Sequence, residues 1–170
     1  MLDLSVAYKK YKFIGSEFLT WLFYVAENEA FRISEDLEIG ISTHIVNISF
    51  ENEMPKETLS IKGDDSVDRD ECTSALRRGA LVSKIRLAFE IRENIYHFTI
   101  HADWLSFSSL NLPQTESIAE DSDGATLERI YLYNQAVEAM DKLFERFIRI
   151  RLSNDWNAAV SNIRKWITRD

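Results

Sequence analysis

Between residues 84 and 101 the chain alternates. Ile85, Leu87, Phe89 and Ile91 fall on one parity, while Lys84, Arg86, Glu90 and Arg92 fall on the other. After a short turn at Glu93 and Asn94, Tyr96, Phe98 and Ile100 are apolar, and His97, Thr99 and His101 are polar. A period of two sends successive side chains to opposite faces of a strand. The stretch therefore predicts an antiparallel meander with one buried and one solvated face. That pattern restricts the chain to folds organised around a half-covered sheet, and the remaining segments are read against it.

A further strand is expected over 104–110 and a short one over 58–61, ending at Lys62 and Gly63. Leu37, Ile39 and Ile41 alternate with polar residues, and Val46, Ile48 and Phe50 do so on the opposite parity. A change of parity near Ser42, Thr43 and His44 implies a bulge or a tight turn between two strands. Ser16 reads as the N-cap of a helix over 17–26, which is apolar almost all round. Such a helix is buried on most faces or seals a partner interface. A second helix is expected over 67–78, with Ser66 or Asp68 as cap and Gly79 at the position where a helix ends in a left-handed residue. The stretch 111–124, with Pro113 and a run of Ser, Asp and Glu, reads as a loop. A long helix follows over 125–152, with Leu132, Ala136, Met140, Leu143, Phe147 and Ile150 at helical spacing, and Ser153 caps a last helix carrying Trp156, Val160, Ile163 and Trp166 or Ile167. The order predicts an α+β fold: an antiparallel sheet packed against helices, with two helices at the C-terminus. At 170 residues the chain fits one domain over 1–170.

Composition narrows the chemistry. The single cysteine, Cys72, excludes an internal disulfide framework and a Cys-rich zinc site. No apolar run reaches the ~20 residues of a membrane span, and the first residues lack the features of a secretion signal, so a cytoplasmic location with no membrane partner is expected. No P-loop, Gly-rich nucleotide fingerprint, HExxH or GxSxG is present. His97, His101 and Asp103 share a parity, but four residues along a strand span ~13 Å, too far for His97 and His101 to share one ion. The acids over 64–71 lack calcium-loop spacing and suit a helix start. Cys72, beside Asp70 and Glu71, is expected to be an inert, packed thiol. No catalytic residue, metal site or cofactor is assigned; a metal-dependent nuclease using some of the many carboxylates is the weaker enzymatic reading.

The net charge is −8, yet it is unevenly spread. Residues 1–128 hold 12 Lys and Arg against 23 Asp and Glu, a balance of −11, whereas residues 129–170 hold 8 against 5, a balance of +3. Phosphate contacts act over a Debye length of ~8–10 Å, so an acidic protein can still carry a basic strip. Arg77 and Arg78 close a helix that feeds into the Lys84/Arg86/Arg92 strand face, with His97, Thr99 and His101 on the next strand. Such a face suits phosphates, through cations and hydroxyl donors; equally, it is what a solvated sheet face requires to discourage edge association. On the long helix, Glu138 with Lys142 and Glu145 with Arg149 form i,i+4 pairs that neutralise that stripe.

The segment from Ala75 through Arg77, Arg78, Gly79, Lys84 and Phe89, then Tyr96 to Ile100 and Leu105 to Leu110, resembles the C-terminal half of the recombination-associated RdgC family. The stretch Glu17-Phe18-Leu19-Thr20-Trp21-Leu22 is similar to a Phe-Leu-x-Trp-Leu segment of some members. The resemblance spans roughly residues 15–152 through loose hydrophobic patterns. It implies a non-catalytic, largely sequence-independent DNA-binding protein of the bacterial nucleoid. It further implies a homo-oligomer, a ring-like dimer in the family, that restrains recombinase filaments and contacts the duplex backbone. Gly79 and Lys84 fit the family pattern, and Lys62 lies near a basic position ahead of the helix. The chain departs from it in carrying Ala80 where a Lys is usual, and in lacking the family's N-terminal half. The DNA-binding set expected is thus Lys62, Arg77, Arg78, Lys84, Arg86 and Arg92. The competing expectation is a protein-interaction or assembly module without DNA binding, using the apolar helix over 18–25 or the Trp156/Trp166 helix.

Overall fold

The computed structural model describes residues 13–28, 32–34, 37–49, 58–62, 66–91, 94–114 and 122–168. In chain order the elements are α1 (Phe13–Asn28), β1 (Arg32–Ser34), β2 (Leu37–Ser49), β3 (Thr58–Lys62), α2 (Ser66–Arg77), β4 (Leu81–Ile91), β5 (Asn94–His101), β6 (Ser106–Asn111), α3 (Ser122–Arg151) and α4 (Asp155–Ile167). All strand pairs are antiparallel: β2, β4, β5 and β6 lie side by side in that order, and β1 and β3 both pair with β2. This is the expected α+β arrangement, with two helices at the C-terminus.

The alternation read from the sequence sets the core. Ile85, Leu87, Phe89 and Ile91 of β4 are buried together with Tyr96, Phe98 and Ile100 of β5. Register pairs them directly, Ile85 with Ile100, Leu87 with Phe98 and Phe89 with Tyr96, and the rings of Phe89 and Phe98 stack with centroids 4.7 Å apart. Val82 breaks the parity yet is also buried. A bulge absorbs the extra residue: Asn47 pairs with Lys84 but Ile48 with Val82, while Ser83 donates its hydroxyl to the Asn47 carbonyl.

The change of parity over 42–44 resolves as a bulge rather than a turn. β2 runs unbroken, with a register shift between Thr43 and Ile45. Bulges of this kind swap which parity faces the core without ending the strand. Phe50 lies outside the described residues.

Helix α1 is a core helix: Phe18, Leu19, Trp21, Leu22, Phe23 and Val25 are all buried. It starts at Phe13, three residues before the expected cap, and Ser16 sits inside it with its carbonyl accepting the Thr20 hydroxyl. The aromatic residues of the two helix surfaces named as candidate interfaces pack within the molecule. Trp166 of α4 packs edge-on against Phe23 and Tyr24 of α1, and Trp156 packs on Phe147 of α3. Arg151 ties the three helices, bonding Glu17 at 2.8 Å and lying 4.9 Å over the Trp156 ring.

Element ends follow local chemistry. Gly79 has φ +91, and Ala80 N donates to the Ala75 carbonyl while Gly79 N donates to that of Leu76. This is the double bond pattern of a helix closed by a left-handed residue. The third strand begins at Ser106, because 102–105 forms a turn in which Leu105 has φ +48. β5 begins at Asn94, paired with Ile91, so Asn94 belongs to the strand rather than to the expected turn at 93–94. Helix α3 begins at Ser122, inside the stretch expected to be loop. Asp155 N donates to the Ser153 hydroxyl at the head of α4.

Candidate nucleic-acid interface

One face of the sheet meets the helices and the other does not share in that core. Directly opposed residues of an antiparallel pair project to the same side. Register therefore builds two cross-strand rows, whose described side chains on β4, β5 and β6 lie away from the helices. The first runs Lys62, Ile45, Arg86, Thr99 and Ser108. The second runs Ser60, Asn47, Lys84, His101 and Ser106. Two residues along a strand separate the rows, a spacing of ~7 Å. Lys84 and Arg86 are thus neighbours on β4, and Lys62 holds a register position in the row of Arg86, a cross-strand placement that its position in the sequence does not show.

The open side is less wet than alternation suggests. Lys84, Arg86, Ala88, His97 and His101 are half-buried, and Thr99, flanked in its row by Arg86 and Ser108, is only 4% exposed. His101 Nε2 and the Ser108 hydroxyl lie 2.8 Å apart. Among the described residues neither Lys84 nor Arg86 has an ion-pair or hydrogen-bond partner, and of the side chains described on this face Glu90 is the one acid. Asn47 Oδ1 is buried with no partner among the described residues. It is an acceptor, so it repels an anion, and the groups here that suit phosphate are the two cations and the hydroxyls beside them.

The helix-end arginines sit elsewhere. Arg77 donates from Nε and Nη2 to the Ile167 carbonyl at 3.3 and 3.0 Å, so its guanidinium is fixed on the C-terminal end of α4, in the helical layer. A cation placed on the last carbonyls of a helix complements its dipole. Arg78 follows in the turn and is exposed. The set read from sequence therefore divides: Lys84 and Arg86 together on the sheet, Lys62 in register with them, Arg77 and Arg78 apart. Arg92 lies outside the described residues.

Other candidates resolve in structural terms. Cys72 is buried, and burial first, then the charge of Glu27, pushes its thiol up to about 12. The acid that matters is on α1, not the adjacent Asp70 and Glu71. Among the described residues no group of three or more His, Cys, Asp or Glu is placed to hold a metal ion, and no helix is long and apolar enough to cross a membrane. Lys142 pairs with Glu138 and Arg149 with Glu145, each at 2.8 Å; the hydrogen bond from Lys142 lowers the Glu138 carboxyl below its ordinary range.

Sequence reasoning missed a second surface. Phe107 of β6 and Tyr133 of α3 are about half exposed, as are Ile130 and Tyr131, and Leu127 more so. The first turns of α3 expose Leu127, Ile130, Tyr131 and Tyr133 with Arg129 among them, and its outer face is charged from Glu138 onward. The run Leu127, Ile130, Tyr131 was the available signal, since it lies opposite the buried stripe of Leu132, Ala136 and Leu143.

No protein-family model matches the chain, and no curated protein or solved structure matches it.

Proposed function

We propose that the chain is a non-catalytic, largely sequence-independent DNA-binding protein that takes the phosphate backbone on the open face of its sheet. The observation that carries the proposal is the pairing of Lys84 with Arg86 on β4, half-buried and without acidic partners among the described residues, in rows that continue through His101, Thr99, Ser106 and Ser108. Half-burial keeps long side chains from collapsing onto distant acids and strengthens their field at the surface. The hydroxyls alongside suit neutral phosphate contacts, which position a backbone without reading bases. Action as a homo-oligomer in recombination, as the RdgC resemblance implies, belongs to the same proposal.

Two to three cations define a weak, salt-sensitive site. Each phosphate neutralised contributes about −0.9 to the slope of log affinity against log salt, so a slope of about −2 to −3 is expected. The check is anisotropy of a labelled duplex titrated between about 20 and 200 mM salt. Changing Lys84 and Arg86 together to Ala is expected to flatten the slope by about 2, whereas Arg77→Ala leaves it unchanged. A duplex that does not bind at the lowest salt, or a double variant with the original slope, refutes the proposal.

A further inference from the structure

β6 ends the strand order, and its outer edge is taken by no described strand. Sheet edges in soluble proteins are usually blunted by charge or by proline. Ser106–Asn111 carries neither, and Pro113 comes only after it. Beside this edge, between β6 and α3, lies a cavity of about 220 Å³ walled by Phe98, Phe107, Leu110, Tyr133, Val137 and Met140. Leu110 also walls a second, more polar cavity of about 690 Å³ with Asn111, Pro113, Ala125 and Arg129. The two share Leu110, the first walled mostly by apolar side chains and the second including Arg129; taken together they make a groove beside the strand edge. Arg129 is exposed and has no ion-pair partner among the described residues.

The backbone at the groove is strained. Ser109, in its wall, has φ +55, a conformation that costs a non-glycine residue roughly 1 kcal/mol or more. The strain accompanies the register shift between His97 and Thr99, which throws an extra residue into β6 and leaves Leu110 lining both cavities.

We propose that this groove binds an extended segment of a partner protein, which adds to the outer edge of β6 and seats one large apolar side chain in the smaller cavity and one carboxylate at Arg129. The spacing follows from geometry. Arg129 and Val137 are eight residues apart on α3, ~12 Å along its axis. Two residues four apart on a strand point the same way and are ~13 Å apart. β6 runs from the apolar end of the groove to the Arg129 end, so a strand added antiparallel enters at Arg129. Its acid therefore precedes its apolar anchor by four positions. Main-chain bonding to the edge supplies affinity, and the two side-chain contacts supply selectivity.

The test uses a labelled octapeptide, Ser-Glu-Thr-Val-Thr-Phe-Thr-Lys, followed by anisotropy with the full chain. Saturable binding below about 1 mM is expected, weakened about tenfold when the phenylalanine of the probe is replaced by serine. Val137→Trp, which fills the cavity from a half-buried position, is expected to produce a loss of the same size. Arg129→Glu is expected to weaken the probe about fivefold and to favour a version of the probe carrying lysine in place of its glutamate. Three outcomes overturn the proposal: no saturable binding, equal affinity for the phenylalanine and serine probes, or a folded Val137→Trp protein that binds like the original. A fourth is sedimentation showing a dimer that Val137→Trp dissociates, which assigns the edge to a second copy of this chain instead. None of these readouts depends on the DNA-binding proposal.

Discussion

Cys72 sits on the buried face of α2, and its thiol is held protonated up to about 12 against an ordinary value of 9.0. An unfolded chain loses that proton near its ordinary value, so above that pH the unfolded state binds fewer protons than the folded one. Stability then falls as pH rises, with a slope approaching about 1.4 kcal/mol per pH unit. Burial also raises Tyr96, with Tyr131 nearby, which adds a second decline above its ordinary 10.0. Between 9.0 and 10.0 the cysteine therefore supplies most of the decline. Urea midpoints across that interval should drop for the original chain and stay nearly level for Cys72→Ala, although the variant is less stable throughout for want of the sulfur. Arg77 makes a different residue-scale case. Its two bonds to the Ile167 carbonyl join residues 90 positions apart. Charged hydrogen bonds at an exposed helix end contribute about 1 kcal/mol, so Arg77→Ala should lower the urea unfolding free energy by about that amount. A basic pair at the end of a helix looks the same in sequence whether it meets phosphate or a neighbouring carbonyl. Only the tertiary position of α4 distinguishes the two.

At the scale of elements, legibility tracks periodicity. β4 and β5 were readable because half-covered strands repeat every two residues over a long run, and α3 because Leu132, Ala136, Met140, Leu143 and Phe147 are all buried as their spacing requires. The bulges at Thr43–Ile45 and at Ser83 were not fixed in advance, since one inserted residue is the same in sequence whether the strand bends or turns. The groove beside β6 was illegible for a related reason: its walls come from a short strand without clean alternation and from the side of a helix whose apolar residues looked like ordinary core. How α1 approaches the sheet turns on one glycine. A Cβ on Gly15 would lie 1.9 Å from the Ala102 carbonyl oxygen, in the turn whose backbone is held by the Ala102 N bond to Ser83 O. Backbone on both sides leaves no rotamer to relieve the clash. Gly15→Ala should therefore cost more than about 2 kcal/mol despite its better helix propensity, a reversal of the usual sign that thermal unfolding will register.

At the scale of the whole molecule, the buried residues among those described form one apolar cluster to which α1, α2, α3, α4 and the three central strands contribute, with Ile163 as the buried residue from α4. The last helix is thereby part of the core rather than an appendage, even though its sequence, with Trp156 and Trp166 on one stripe, also suits a detachable interaction surface. Removing it would uncover Phe23 and Phe147, both less than a tenth exposed. It would also strip the π-face from Arg151 and leave the Arg77 guanidinium without its carbonyl. Full exposure of both rings would forfeit roughly 3–6 kcal/mol of burial, and even a partial loss is a large share of the roughly 5–15 kcal/mol that holds a typical domain folded. A chain ended after Ser153 should accordingly lose its near-ultraviolet dichroism, bind a hydrophobic dye and unfold without a sharp transition, whereas the full chain melts in a single step with equal calorimetric and van't Hoff enthalpies. A shortened chain that still melts cooperatively would mean that α1 and α3 close the core by themselves, and that α4 is available to partners after all.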